Sequence, residues 1–135
     1  MRYKVVVCTY IFALHNHKRM DLENSKAQMK KGVLELCILS IIANDKECYA
    51  SEILARMKQA KLLVVEGTLY PLLTRLKNDG LLSYQWVESK SGPPRKYYQL
   101  TTEGEKFLIE LRKAWDELVQ AVSFTDQKQA DLSYE

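Results

Sequence analysis

The chain has 135 residues, enough for one compact domain with an appended helix and too few for two ordinary domains. Its 47% hydrophobic and 27% charged residues are those of a soluble globular protein, and no run reaches the ~18 apolar residues of a membrane span. Three cysteines, Cys8, Cys37 and Cys48, are an odd set without CxxC spacing, which suggests neither a disulfide framework nor a zinc site and points to thiols in a reducing, cytoplasmic setting.

The net charge of +3 is unevenly placed. Arg2, Lys4, Lys18 and Arg19 stand without an acid in residues 1–19, so from Met20 onward there are 16 bases against 17 acids. From Lys61 to Leu100 six bases face three acids, whereas residues 101–135 carry four bases against eight acids. A basic middle and an acidic tail suit a protein that turns one face to phosphates.

Residues 1–28 read as a leader, disordered or not native. The basic start and the apolar run Val5–Leu14 resemble a short secretion signal, but no small-x-small cleavage pattern follows, and translation from an upstream start is the plainer reading. A winged helix-turn-helix is expected over 29–100. Its first helix holds Val33, Leu34, Leu36, Cys37, Ile38, Leu39, Ile41 and Ile42, apolar on more than one face and therefore buried nearly all round. Asn44 and Asp45 end it, and Ser51 is expected to cap a second helix carrying Ile53, Leu54 and Met57.

A third helix is expected from Gly67 to Asp79, closed by Gly80, with Leu69, Leu72, Leu73 and Leu76 inward and Pro71 in the first turn. Its outer face carries Gly67, Pro71, Thr74 and Asn78, flanked by Tyr70 and Arg75. Alternation over Leu82, Tyr84 and Trp86, and again over Tyr98 and Leu100, predicts two antiparallel strands, with Trp86 packed. The turn between them is read as Ser89 to Pro94. Thr102 with Glu105 fits a capping box for a last helix over 101–124, followed by a disordered tail over 125–135. Leu108, Leu111, Trp115, Leu118 and Val122 recur at spacings of 3, 4, 3 and 4, a coiled-coil seam that predicts a homodimer joined by the first and last helices.

This layout is α+β, mainly α: three helices and a two-stranded wing, then a C-terminal dimerisation helix. Thr68, Tyr70, Thr74 and Arg75 are placed to meet a major groove, where Arg reads guanine or holds phosphate. Lys90, Arg95 and Lys96 flank a hairpin tip able to straddle a backbone. Two copies of Trp115 across a two-fold axis leave a slot for a planar aromatic ligand, unless the indoles simply fill the dimer core. Catalysis is not indicated. Histidine occurs only at His15 and His17, and no metal-ligand spacing, phosphate loop or cofactor motif is present.

The residues Gly67-Thr68-Leu69-Tyr70-Pro71, Arg75-Leu76, Asp79-Gly80-Leu81, Gly92-Pro93-Pro94-Arg95-Lys96-Tyr97-Tyr98 and Leu100-Thr101 with Gly104 resemble the PadR-like transcriptional regulators of bacteria, over roughly Met29 to Val122. The short last helix is similar to the compact branch of that family. The resemblance implies a dimeric repressor whose recognition helices and wings read a palindromic operator in double-stranded DNA, with affinity modulated by a small molecule or stress. It places recognition positions on Thr68, Tyr70 and Arg75 and wing positions on Gly92, Arg95 and Lys96. It also sets Trp115 where multidrug-sensing members stack a tryptophan on planar drugs in the dimer pore, with Leu36 and Leu39 as pore walls. The chain departs from the family at Ala50-Ser51-Glu52-Ile53, where Gly-Tyr-Glu-Ile is usual, so that tyrosine's role is not carried over. The rival expectation is a winged-helix module that binds protein through the same seam without sensing a ligand.

Overall fold

The computed structural model describes residues 3–132, with side-chain surroundings for residues 21–126; the remainder of the expected leader and tail lies outside the described residues. Residue contacts divide the chain into two units, 1–34 and 35–135. In the first, the side chains from 21 to 32 are exposed, Val33 is half-buried and Leu34 is buried. The second holds the sheet, the core and the site.

Seven elements follow one another: α1 (Tyr3–Asp45), β1 (Cys48–Tyr49), α2 (Ala50–Gln59), α3 (Glu66–Asn78), β2 (Leu82–Ser89), β3 (Gly92–Leu100) and α4 (Thr102–Leu132). The fold is mainly helical, with one antiparallel sheet in the order β1-β3-β2. Ile38, Leu39 and Ile42 of α1, Ile53 and Met57 of α2, and Leu69, Leu73 and Leu76 of α3 are fully buried. Spacings of three and four residues, with Leu39 beside Ile38, put each set on one helix face, and the burial of these side chains is the main stabilising term of the unit.

Local chemistry sets the helix ends. The Leu81 N–H donates to the Leu76 carbonyl and the Gly80 N–H to the Lys77 carbonyl, each at 3.0 Å, while Gly80 adopts φ +77. That is the paired closure a left-handed glycine permits, as the sequence predicts. The end of α2 repeats it with Leu62 N–H to the Met57 carbonyl at 2.9 Å, but Lys61 occupies the left-handed position at φ +58. At the start of α2 the cap is Tyr49, not Ser51, because the Glu52 carboxylate accepts from the Tyr49 N–H at 3.1 Å and draws the helix start two residues earlier.

Two further boundaries differ from expectation. The Val65 carbonyl accepts from Thr68 and Leu69, so α3 starts at Glu66 and Pro71 falls beyond its first turn. Its missing N–H leaves the Gly67 carbonyl without the usual helical donor, at an exposed turn open to water. The cap of α4 is Thr101, whose hydroxyl accepts from the Gly104 N–H at 3.0 Å and donates to the Gly80 carbonyl at 2.6 Å. That second bond ties the end of α3 to the start of α4, an attraction that Thr102 does not offer.

The sheet has a strand that the sequence does not advertise. Cys48 pairs with Tyr98 and Tyr49 with Tyr97, so the link between α1 and α2 is stitched to the wing. The hairpin turn contracts from the six residues expected to Lys90 and Ser91, and Pro93 and Pro94 join β3. The ladder slips between Val87 and Ser89, an irregularity beside two prolines that have no N–H to give.

Candidate nucleic-acid interface

With Leu69, Leu73 and Leu76 turned inward, helical geometry puts Gly67, Pro71, Thr74 and Asn78 on the opposite side of α3, and all four are exposed. Thr68 and Arg75 lie on one flank of that side, Tyr70 and Lys77 on the other. Tyr70 is half-exposed and near enough to Tyr98 to help raise the latter's phenol pKa, with burial as the larger cause and Tyr84 as a third. The helix itself packs against β2, so the wing starts alongside it. The Thr74 hydroxyl donates to the Tyr70 carbonyl at 3.0 Å and keeps its oxygen lone pairs for a donor from outside.

Arg75 is differently placed from the sequence expectation. Its guanidinium donates to the Glu35 carboxylate of α1 at 2.8 Å, so it leans toward α1 rather than straight outward. A second arginine, Arg56 on α2, grips Asp45 with two N–H donors at 2.7 and 3.2 Å and fixes the end of α1 to α2. Together these pairs hold the helices that present α3.

The wing carries its cations on both faces. Val87 pairs with Arg95 and Trp86 with Lys96, so the two neighbouring cations project to opposite sides of the ribbon. The Arg95 guanidinium lies 4.6 Å from the centre of the Tyr49 ring, itself 5.2 Å from the Tyr97 ring. On the other side the Lys96 ammonium sits 4.5 Å from the Tyr84 ring centre and 5.1 Å from that of Trp86. Such stacking holds long side chains in place while leaving the charge in water. Lys90 is exposed at the turn, and Gly92 opens β3 beside it. Sequence reading missed the Tyr49–Arg95 stack, although Tyr49 is an aromatic in an otherwise polar link.

On α4, Trp115, Leu118 and Val122 are exposed by 41%, 56% and 52%, and Leu111 is partly so. Leu108 is not part of this surface. It is buried in the protomer's own core, because the first turns of α4 cover the sheet and α1 before the helix runs free. Leu39 is corrected likewise: it has no exposed surface and cannot wall a pore, whereas Leu36 on the adjoining face is partly exposed. A shallow cleft lined by Ile42, Lys46, Leu108 and Arg112 is separate from Trp115. Among the described residues no group of three or more histidine, cysteine or acidic side chains is arranged to hold a metal ion, and no helix is long and apolar enough to cross a membrane.

Comparison with known proteins agrees with this architecture. Residues 38–110 match the family model described as the transcriptional regulator PadR-like family. The chain is 35% identical over 96 residues to the transcriptional regulator Rv3488 of Mycobacterium tuberculosis, covering 70% of this chain and 87% of that one. It resembles the X-ray structure of a PadR-like transcription factor from Bacteroides fragilis at 60% identity and a TM-score of 0.63, over 74% of this chain and 96% of that one. A PadR family regulator from Eggerthella lenta gives a TM-score of 0.74 at 28% identity, over 79% and 93% of the two chains. The winged helix, the basic hairpin behind it and these likenesses make the protein a DNA-binding regulator and not an enzyme: the chain belongs to the PadR-like family of transcriptional regulators.

Proposed function

We propose that this regulator is a dimeric repressor that binds a palindromic operator through α3 and the wing and releases it when a planar aromatic molecule enters a pore between protomers. The observation that carries the reading is the apolar stripe of Leu111, Trp115, Leu118 and Val122 along one face of α4, partly exposed at Leu111 and exposed at the other three. An uncovered stripe of this length favours a second copy packed along it. A two-fold axis through the stripe sets two Trp115 rings near each other, with Leu36 of α1 as a further wall.

On the DNA side, Thr68, Tyr70, Thr74 and Arg75 of α3 take the major groove, and Lys90, Gly92, Arg95 and Lys96 of the wing take the flanking backbone. Two recognition helices fixed in one dimer fit half-sites about one helical turn apart. The ligand shifts their separation only if it binds the released and bound forms with different affinity.

Fluorescence anisotropy with a labelled duplex from upstream of the protein's own gene tests the DNA side. A salt-sensitive affinity that exceeds that for scrambled duplex is expected, and equal affinity for both sinks the operator reading. Tryptophan emission during titration with planar cationic dyes and with phenolic acids tests the ligand side, in a Trp86→Phe background. Quenching that is unchanged by Trp115→Ala would move the ligand elsewhere.

A further inference from the structure

Trp86 is 63% exposed, although strand alternation predicts it as a packed residue. Its face of the ribbon explains how this comes about. Leu82, Tyr84 and Trp86 share that face with Leu100, Tyr98 and Lys96 across the ladder. Leu82 and Tyr98 are buried, Tyr84 is half-buried, and Trp86 lies past the point where the core ends. The indole is therefore an apolar plate held out in water at the base of the wing tip.

It is held, not loose. The Tyr84 and Trp86 rings meet edge to face, 6.2 Å apart at 88°, and the Lys96 ammonium lies over both. Tyr84, Trp86 and Lys96 thus make a ledge with a flat apolar surface and a fixed cation about one ring-width apart. The ledge lies on the strand face that carries Tyr98, and β2 packs against α3, so the ledge stands beside the helix proposed to enter the groove. Over the whole hairpin three bases, Lys90, Arg95 and Lys96, stand against one acid, Glu88.

The partner this fits is a chain in which an anion alternates with a compact apolar ring. The phosphate–deoxyribose repeat of DNA has that form. We propose that Trp86 and Lys96 make a second anchor for the duplex, with Lys96 on a phosphate and the indole packed on the neighbouring deoxyribose. The proposal rests on the DNA-binding reading above and adds to it an apolar, sequence-independent contact that a census of charges does not reveal. Its signature is a split between affinity and salt dependence. Lys96→Ala lowers affinity and reduces the log-log salt slope by about one, because one phosphate contact is lost. Trp86→Ala lowers affinity about tenfold with the slope unchanged, since partial burial of an indole is not an ionic term.

The decisive measurement is 19F NMR of the full chain labelled with 5-fluorotryptophan, its two lines assigned with Trp86→Phe. On addition of a mixed-sequence duplex at low salt, the Trp86 line should shift and lose its solvent isotope effect while anisotropy reports binding. Duplex binding that leaves the Trp86 line in place overturns the ledge and spares the DNA reading; no binding in the anisotropy arm overturns both. A polyglutamate control that moves the line as strongly as duplex would assign the ledge to an acidic protein instead. A Trp86→Ala variant whose melting temperature falls along with its affinity would make the indole structural, which also defeats the proposal.

Discussion

Arg75 on α3, the helix proposed to enter the major groove, donates to Glu35 on α1 at 2.8 Å, so its guanidinium is engaged within the chain. Arg75 is exposed and Glu35 partly so, and an ion pair near the surface contributes about 0–1 kcal/mol. Exchange of the carboxylate for a phosphate is therefore inexpensive, and Glu35 acts as a weak competitor for the guanidinium. Glu35→Gln should tighten duplex binding about threefold to fivefold, and Arg75→Ala should abolish that gain and reduce the salt slope by about one. Anisotropy titrations across a salt series check this. Equal affinities for Glu35→Gln and the parent would mean that Arg75 stays on α1 in the complex.

Gly104 is the point where the start of α4 crosses the end of α3. A methyl group there would collide with the Leu81 carbonyl, which accepts from the Thr101 N–H at 3.1 Å, and would press on Leu100. Backbone cannot yield as a side chain does. Gly104→Ala should cost about 1–3 kcal/mol despite alanine's better helix propensity, a loss read as a lower denaturant midpoint with an unchanged slope. An unaltered midpoint would show that the two segments are free to separate.

What the sequence made legible was local. Leu69, Leu73 and Leu76 declare their helix by period, and Gly80 declares its end because a left-handed turn favours glycine. The winged fold follows from the order of such signals. Features that depend on distant partners stayed hidden. Cys48 and Tyr49 form a strand only because β3 lies alongside, and two residues carry no period. Alternation assigned Trp86 to the correct face but gave no sign of where the core beneath that face ends. Heptad spacing grouped Leu108 with Leu118, though one packs in its own protomer and the other stays bare. Spacing describes a helix face, not which chain covers it.

Cys48 supplies a pH-dependent readout of the β1 region. Burial, then the nearby Asp45 and Glu52 carboxylates, push its thiol from the ordinary 9.0 up to about 12, with Arg56 opposing. Between these values the native state keeps a proton that the unfolded state has lost. This contribution to stability is therefore whole below pH 9 and lost as pH rises toward 12. At pH 8.5 the native thiol should be alkylated by iodoacetamide about a hundredfold more slowly than in denaturant, because thiolate is the reactive form. Peptide-level mass spectrometry separates it from Cys37, whose thiol burial also raises. Equal labelling rates for native and denatured Cys48 would show that the β1–β3 pairing opens readily.

The dimer reading has its sharpest test at Leu118. This side chain is 56% exposed and lies midway along the stripe between Trp115 and Val122, so replacing it removes no contact from the protomer core. Across a two-fold axis, however, Leu118→Glu sets two carboxylates in the middle of an apolar seam, where each loses water without gaining a partner. Circular dichroism should be unchanged while sedimentation gives a monomer. A monomer keeps one recognition helix and one wing, so it should still hold a half-site weakly. It loses the linkage that makes the second half-site an intramolecular contact, and operator affinity should fall about a hundredfold or more. The fall should be much smaller on a duplex carrying one half-site. If Leu118→Glu remains a dimer with full operator affinity, the α4 stripe is not the seam, and the Trp115 pore built upon it must be abandoned as well.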